Sequence, residues 1–340
     1  MTAETDSVDD TGAPMEIAEI ARLSAAVLER VSSVVVGMTD ALELALATVL
    51  AGGHVLFEDV PGLGKTLAAR CIASAIGLDF RRLQCTPDLL PSDITGSFVY
   101  TPVGGEFVFR AGPIFTGLFL ADEINRTAPK TQSALLEAMA EAQVTVEGKS
   151  FALPQPFHVI ATSNPIEFEG TYALPEAQLD RFMVRLAVGY PTGDGERRIL
   201  LGRIARRHEV AHVEKVVDAQ TLLAMQRGIE TVHVDTDIVD YCVNLATATR
   251  SNSSVQVGAS PRGSQALMLV ARALAVMNGR DFVAPEDVKR VAVPVLAHRL
   301  SLTTQAWANG IQATHVIAGI VEQVAGPPAV GSTRAEPAAR

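Results

Sequence analysis

The sequence predicts an α/β protein, with a parallel sheet covered by helices in its first part and a helical domain in its second. Three observations carry this. From about residue 16 to 190, short β-rich runs alternate with helical stretches, the pattern of a parallel sheet with crossover helices. Two of these runs are nearly all apolar, as strands covered on both faces must be. From about residue 195 the strand signal fades and helical segments follow one another.

Taken in order, the runs are His54–Glu58, Phe80–Cys85, Leu118–Asp122, Phe157–Thr162 and Met183–Val188. They predict a five-stranded sheet. Residues 1–14 are acidic and polar, and 327–340 are rich in Pro and Ala; both are expected to be disordered. The turn-rich stretch Gly189–Gly195 divides the chain. It places a sheet domain at 15–190 and a helical domain at 195–325. Helices are expected at Glu196–Arg207, Ala219–Gly228, Asp237–Ser251, Ser260–Asn278 and Pro285–Val293. Ser260-Pro261 reads as a helix start, with Ser as cap and Pro in the first turn. Ala284-Pro285-Glu286-Asp287 reads as another, its acids favoured by the helix dipole.

Composition narrows the function. The chain has 340 residues, 48% of them hydrophobic and 19% charged, with a net charge of −10. That is ample material for a core, and it lacks the basic footprint of a general nucleic-acid binder. Cys71, Cys85 and Cys242 are too few and too scattered for a disulfide scaffold or a Cys-type zinc site. The most apolar stretch, Ala41–Phe57, is broken by Glu43, Gly52, Gly53 and His54. No membrane insertion is expected, and a soluble cytoplasmic protein is.

Two local motifs carry chemistry. The run at 54–58 enters Asp59-Val60-Pro61-Gly62-Leu63-Gly64-Lys65-Thr66, and a helical stretch starting at Leu67 follows. Backbone N–H groups of such a loop, with the helix N-terminus behind them, cradle phosphate oxygens. Lys65 would reach the β and γ phosphates, and Thr66 would offer its hydroxyl to Mg²⁺. The generic phosphate-loop pattern demands Gly where this chain has Asp59. The second motif is the apolar run 118–122 ending in Asp122-Glu123. A carboxylate near the hydrated cation and a second one to orient water are what triphosphate hydrolysis needs. Asp122 suits the first role and Glu123 the second.

These residues sit in longer strings that resemble the AAA+ ATPases of the MoxR group. The strings are DEINRTAPKTQSALLEAM, ATSNPIEFEGTYALPEAQLDRF and GASPRGSQAL, and the likeness spans roughly 20–320. The resemblance implies a P-loop AAA+ core with a five-stranded parallel sheet plus a C-terminal helical lid, using ATP and Mg²⁺. It implies that Asn164 is the sensor-1 residue holding water at the γ-phosphate. Arg181 matches the arginine finger that reaches a neighbouring subunit's site, and Arg262 matches the sensor-2 arginine of the lid. Arg126 is a further candidate for a role across the interface. Alternatives on the residues themselves are a turn Asn before Pro165 and a surface ion pair of Arg181 with Glu176 or Asp180. Residues 89–113 resemble the insert in helix 2, with Val103-Gly104-Gly105-Glu106 as its turn. Gln143–Leu153 resembles the hairpin before sensor 1, turning at Glu147-Gly148-Lys149. Such excursions face the pore or the partner in related rings, or pack on their own domain.

By the same resemblance the protein is an ATP-hydrolysing chaperone that remodels or matures a client protein complex. It would be a homo-oligomer, expected as a hexamer, with a von Willebrand factor A domain protein as partner. Two rivals stand beside it: a ring-forming nucleic-acid motor, disfavoured by Asp93, Glu106 and Glu147 in the excursions, and a nucleotide-gated binding module without turnover. One further string, His208-Glu209-Val210-Ala211-His212, spells a zinc-protease pattern. Its place at a helix end, without a third ligand downstream, argues for a charged helix terminus instead.

Overall fold

The computed structural model describes residues 12–102, 105–165, 171–206 and 213–327. Two helices come first, α1 (Ile17–Ser32) and α2 (Thr39–Leu50). In α1 the buried Ile20, Leu23, Val27 and Val31 recur at three- and four-residue spacing, which turns one apolar stripe inward. Then come β1 (Val55–Glu58), α3 (Lys65–Ala75) and β2 (Phe80–Gln84). An excursion follows: α4 (Pro91–Thr95), β3 (Gly96–Thr101) and β4 (Glu106–Ala111). The chain returns through β5 (Leu118–Asp122) and α5 (Pro129–Glu141), turns through β6 (Gln143–Val146) and β7 (Lys149–Ala152), and enters β8 (His158–Ser163). The short α6 (Glu176–Leu179) and β9 (Val184–Leu186) complete the sheet region.

β1, β2, β5, β8 and β9 form one sheet in the order β2-β5-β8-β1-β9, every neighbouring pair parallel. The five predicted strands are all present, each end within two residues of its run. β5 and β8 are buried at every position, as their apolar sequences require. The order is not readable from the sequence, and it matters. β8 lies between β1 and β5, so the end of β8 separates the phosphate-type loop from the two acids.

The excursion at 89–113 is a hairpin, with Thr101 paired to Glu106. Two residues of its expected turn, 103 and 104, lie outside the described residues. Gly96 cannot be replaced: its φ is +91°, and a Cβ would lie 2.2 Å from the carbonyl oxygen of Arg110. The second hairpin turns at Glu147-Gly148, both with positive φ, the two-residue geometry that matches strand twist. The two hairpins pack on each other: the rings of Phe109 and Phe151 stack at 3.9 Å, and Phe98 lies against both. Tyr100 and Phe107, paired at 5.4 Å, stay exposed.

Beyond the sheet lie α7 (Gly193–Arg206), α8 (Ala219–Ile229), α9 (Thr236–Ser251), β10 (Val255–Val257), α10 (Pro261–Met277), α11 (Pro285–Leu296), β11 (Ser301–Leu302), α12 (Thr304–Ala308) and α13 (Ala313–Gln323). The expected loss of strand signal is nearly complete; β10 and β11 pair as one small antiparallel sheet that the sequence pattern does not reveal. At the start of α10 the expected Ser260 cap is not made. Its hydroxyl donates to Asp180 at 3.3 Å instead. At α11, Asp287 accepts from the N–H of Ala284 at 2.9 Å and pairs with Arg280, closing the predicted start. α10 packs on α1 and α2. One apolar core therefore runs from Ile20 through Val49 and Leu120 to Leu274 and Ile320. The H-E-x-x-H string, 208–212, lies outside the described residues. Among the described residues no cluster of His, Cys, Asp and Glu could hold a metal ion by itself, no helix is long and apolar enough to cross a membrane, and the three cysteines are buried and form no disulfide.

Candidate nucleotide site

Three parallel strands deliver their C-terminal ends to one place, where ligands gather in open α/β sheets. β1 leads into the Asp59–Thr66 loop, β5 ends in Asp122-Glu123, and β8 ends in Thr162, Ser163 and Asn164. Between them lies a pocket of about 380 Å³, lined by Pro61 to Leu67, Arg82, Gln84, Asp122, Glu123, Thr162, Ser163 and Asn164. All of the predicted cradle residues and the first three predicted catalytic-strand residues, Asp122, Glu123 and Asn164, thus meet in one cavity.

The loop explains itself residue by residue. Gly62 and Gly64 have φ of +83° and +85°, yet a Cβ on either would meet nothing within 4 Å. Glycine is needed there for its backbone conformation; the open space above is where a ligand could approach. Gly64 caps α3 with no side chain, so the first amides of that helix are left pointing at the cavity, a ready anion site. Lys65 is buried, and its ammonium donates to the carbonyls of Asp59 (2.5 Å) and Val60 (3.2 Å). Burial holds its pKa below the usual lysine value, against the opposing pull of Asp59, Asp122, Glu123 and Glu58. Asp59, the residue that breaks the generic pattern, accepts three backbone N–H bonds: Val60 at 2.7 Å, Val188 at 2.7 Å and Gly189 at 2.6 Å. Burial would raise its pKa, but those amides and Lys65 outweigh it and hold the carboxylate low. Asp59 therefore pins the loop to the segment after β9, a task glycine could not perform.

The acids are held as firmly. One oxygen of Asp122 accepts from the Thr162 hydroxyl at 2.6 Å; the other accepts from the Thr66 hydroxyl at 3.0 Å and from Arg82 Nε at 2.9 Å, with Arg82 Nη2 at an ion-pair distance of 2.7 Å. Burial opposes ionisation here, but the Thr162, Arg82 and Thr66 bonds win, and the pKa is lowered. Glu123 is a non-glycine residue at φ 60°, ψ 52°, a left-handed conformation that costs about 1–3 kcal/mol and persists only when its surroundings fix it. They do: its N–H donates to Thr162 at 2.8 Å, and its carboxylate accepts from Gln84 at 2.8 Å and Arg126 at 3.0 Å. Arg126, a candidate for work across an interface, pairs here with its own chain's Glu123. Thr66 and Asp122 present two hard oxygens within 3.0 Å of each other, a donor set that fits Mg²⁺. They would hold that ion, and the cradle would hold the phosphates of ATP.

Arg181 and Arg262 lie apart from this cavity. Arg181 follows α6, and its guanidinium donates to the carbonyl of Leu136. Arg262, 65% exposed, faces Asp180 at 3.8 Å. Asp180 also receives the buried Arg299 at 2.8 Å, which donates further to the carbonyls of Phe182 and Met183. Arg262 thus meets Asp180, the residue before Arg181 in the chain, while Arg181 itself turns to Leu136, and neither arginine lines the phosphate pocket.

Sequence reasoning missed several contributors. Arg82, Gln84 and Thr162 carry no motif; each sits on a strand whose neighbour is fixed only by the sheet order. It also missed a second, apolar pocket of about 200 Å³ that shares Gly62, Leu63, Gly64 and Leu67 with the first. Val34 to Met38, Val188, Pro191, Ile199 and Gly202 line it, a fit for a planar base beside the phosphate cradle. The run Val34-Val35-Val36-Gly37, apolar and ending in glycine, was its one visible signal.

Comparison with known proteins agrees with this geometry. Residues 54–184 match the family described as "ATPase family associated with various cellular activities (AAA)", and 247–320 match an AAA lid domain. The chain is 48% identical over 300 residues to YeaC of Bacillus subtilis, covering 88% of this chain and 93% of that one. It is 42% identical to chaperone MoxR1 of Mycobacterium tuberculosis, covering 93% and 85%, and 32% identical to protein MoxR of Paracoccus denitrificans, covering 80% and 86%. A crystal structure of a protein from Cytophaga hutchinsonii superposes with a TM-score of 0.85 at 39% identity, covering 92% of this chain and 97% of that one. A cradle for triphosphate, two acids on the adjoining strand and relatives along nearly the whole chain lead to one conclusion: the protein belongs to the MoxR family of AAA+ ATPases.

Proposed function

We propose that the chain hydrolyses ATP to ADP and phosphate, and that the hydrolysis drives remodelling or maturation of a client protein complex. The observation that carries this is the meeting of Lys65, Thr66, Asp122, Glu123 and Asn164 around one pocket. Thr66 and Asp122 would hold Mg²⁺, which when bound would offset the charge of the phosphates. Lys65 and the loop amides bind the same phosphates. Glu123 orients the attacking water and accepts its proton, and Asn164 positions that water beside the γ-phosphate. Gln84 and Arg126 both bond Oε2 of Glu123, which orients the carboxylate and leaves its Oε1 to take up the water.

Arg181, which does not line its own chain's pocket, is read as acting on a neighbour's nucleotide, and Arg262 as the sensor-2 arginine of the lid, a phosphate contact. Hydrolysis then needs a ring, and a hexamer is the proposed form. The outer face of α7 supports self-association: Leu200 and Ile204 are 65% and 71% exposed one helical turn apart. The chaperone role is supported by the relative named chaperone MoxR1; the von Willebrand factor A domain partner is proposed from the sequence resemblance alone. The exposed Tyr100 and Phe107 on the β3–β4 hairpin give a client or partner an apolar contact. A division into a nucleotide-binding domain up to about 190 and a helical lid from about 195, and a cytoplasmic location, belong to the same reading.

The test is Glu123→Gln. A fluorescent ATP analogue should bind with unchanged affinity, while steady-state phosphate release falls at least a hundredfold. Turnover at the wild-type rate would refute the assignment. DNA-stimulated turnover with a steep salt dependence would instead support a nucleic-acid motor.

A further inference from the structure

We propose that Arg82 is a built-in stand-in for the cation: it neutralises Asp122 in the nucleotide-free protein and must leave that carboxylate for the cation site to open. The inference rests on the ATPase reading above. The same oxygen of Asp122 that the Thr66 hydroxyl bonds at 3.0 Å accepts from Arg82 Nε at 2.9 Å and has Nη2 at an ion-pair distance of 2.7 Å. Two hydrogen bonds and the Nη2 ion-pair contact crowd that oxygen, the one the second proposed metal ligand also bonds. A guanidinium and a divalent cation cannot share it at contact distance, because both occupy its lone pairs and repel each other.

The alternative cation, Lys65, is turned to the carbonyls of Asp59 and Val60. Among the described residues Arg82 is the ion-pair partner of Asp122. It also has somewhere to go. β2 is the edge strand of the sheet, and the Arg82 side chain is 43% exposed, so it can swing to water without unpacking a neighbour. A carboxylate as buried as Asp122, which is 7% exposed, cannot be left bare at low cost. Arg82 supplies the counter-charge until a better one is bound. Its second link is to the Gln84 side chain at 2.7 Å, and Gln84 holds Glu123 at 2.8 Å. Release of Arg82 therefore removes one of the two contacts that keep the Gln84 amide on the hydrolytic glutamate.

The experiment measures binding of a fluorescent ATP analogue to the full chain at fixed nucleotide while Mg²⁺ is titrated, with a parallel arm in EDTA. In Arg82→Met the competitor for Asp122 is gone. The Mg²⁺ midpoint should fall about threefold, the size of a half-exposed ion pair, while binding in EDTA weakens by less than about tenfold, because the bared Asp122 then repels the phosphates. Arg82→Lys, which keeps a charge but loses the forked geometry, should shift the midpoint by less than twofold in the same direction. An unchanged or raised midpoint in Arg82→Met overturns the proposal. So does a loss of affinity in EDTA of more than about tenfold, which would make Arg82 a direct phosphate ligand. If Arg82→Met does not fold, Arg82→Lys decides, and a raised midpoint there refutes it. Wild-type protein that failed to bind the analogue would refute the nucleotide reading and this inference with it, whereas binding without a midpoint shift refutes Arg82 alone.

Discussion

Replacing Thr162 by Val should separate binding from turnover, although Thr162 belongs to no recognised motif. The two side chains have the same shape, so the buried position stays filled and only the hydroxyl is lost. That hydroxyl donates to Asp122 at 2.6 Å and accepts from the Glu123 N–H at 2.8 Å. Asp122 keeps Thr66 and Arg82, so its loss is one charge-assisted bond of several. Glu123 loses the acceptor of its own N–H, and an unsatisfied buried donor costs about 1–3 kcal/mol. The left-handed conformation of Glu123 itself stores about 1–3 kcal/mol, and Thr162 is one of the contacts that hold it there. With the hydroxyl gone, relaxation of Glu123 away from its working pose becomes favourable by about 2 kcal/mol. A barrier raised by that much slows the reaction roughly thirtyfold. Single-turnover phosphate release should fall by about that factor, while the affinity for nucleotide, set by the loop, changes less than threefold. Thr162→Ser, which retains the hydroxyl, should recover most of the rate. A Val variant whose rate stays within twofold of wild type would refute this account of how the glutamate is held.

Asp59→Ala should release the loop from Val188 and Gly189 and weaken nucleotide binding about tenfold, measurable by titration; Asp59→Gly, which restores the generic pattern, should do no better. Arg181→Ala should bind nucleotide normally and lose turnover, and mixing it with Lys65→Ala protein should restore part of the activity; mixtures as inactive as either parent would remove Arg181 from a neighbour's site. Burial pushes the pKa of both His54 and His158 down from 6.5 to about 4. They stay neutral in the fold while the unfolded chain binds protons, so their contribution is complete above about pH 6.5 and is lost as pH falls towards 4, by up to ~3 kcal/mol each. Urea midpoints between pH 7 and 4.5 should fall less steeply in His158→Gln, and an unchanged slope would rule the pair out as the source.

The parts of the site legible in the sequence are those whose chemistry is local. Pro61 to Thr66 are consecutive, and Asp122-Glu123 close a single apolar strand, so spacing alone exposed them. Arg82, Gln84 and Thr162 act across the sheet, from strands whose adjacency depends on the order β2-β5-β8-β1-β9. Nothing in their own neighbourhoods announces it. Asp59 is the instructive case: against a pattern it is a mismatch, and only the arrival of residues 188 and 189 beside it shows its use. The reading of Ser260 as a cap failed for a related reason. Ser260 does stand at the N-cap position with Pro261 after it, but its rotamer points the hydroxyl at Asp180 as a donor, so its oxygen is not placed to accept a helix N–H.

The shared core described for α1, α2 and α10 bears on how motion could pass through this molecule. Helices that bury their faces in a common interior cannot turn independently without wetting it, and wetting even a few such side chains costs several kcal/mol. The sheet and most of the C-terminal helices therefore behave as one cooperative block, expected to melt in a single transition. On the proposed reading, in which ATP hydrolysis drives work in a ring, motion would be taken up at the boundaries of such a block, against a neighbouring copy.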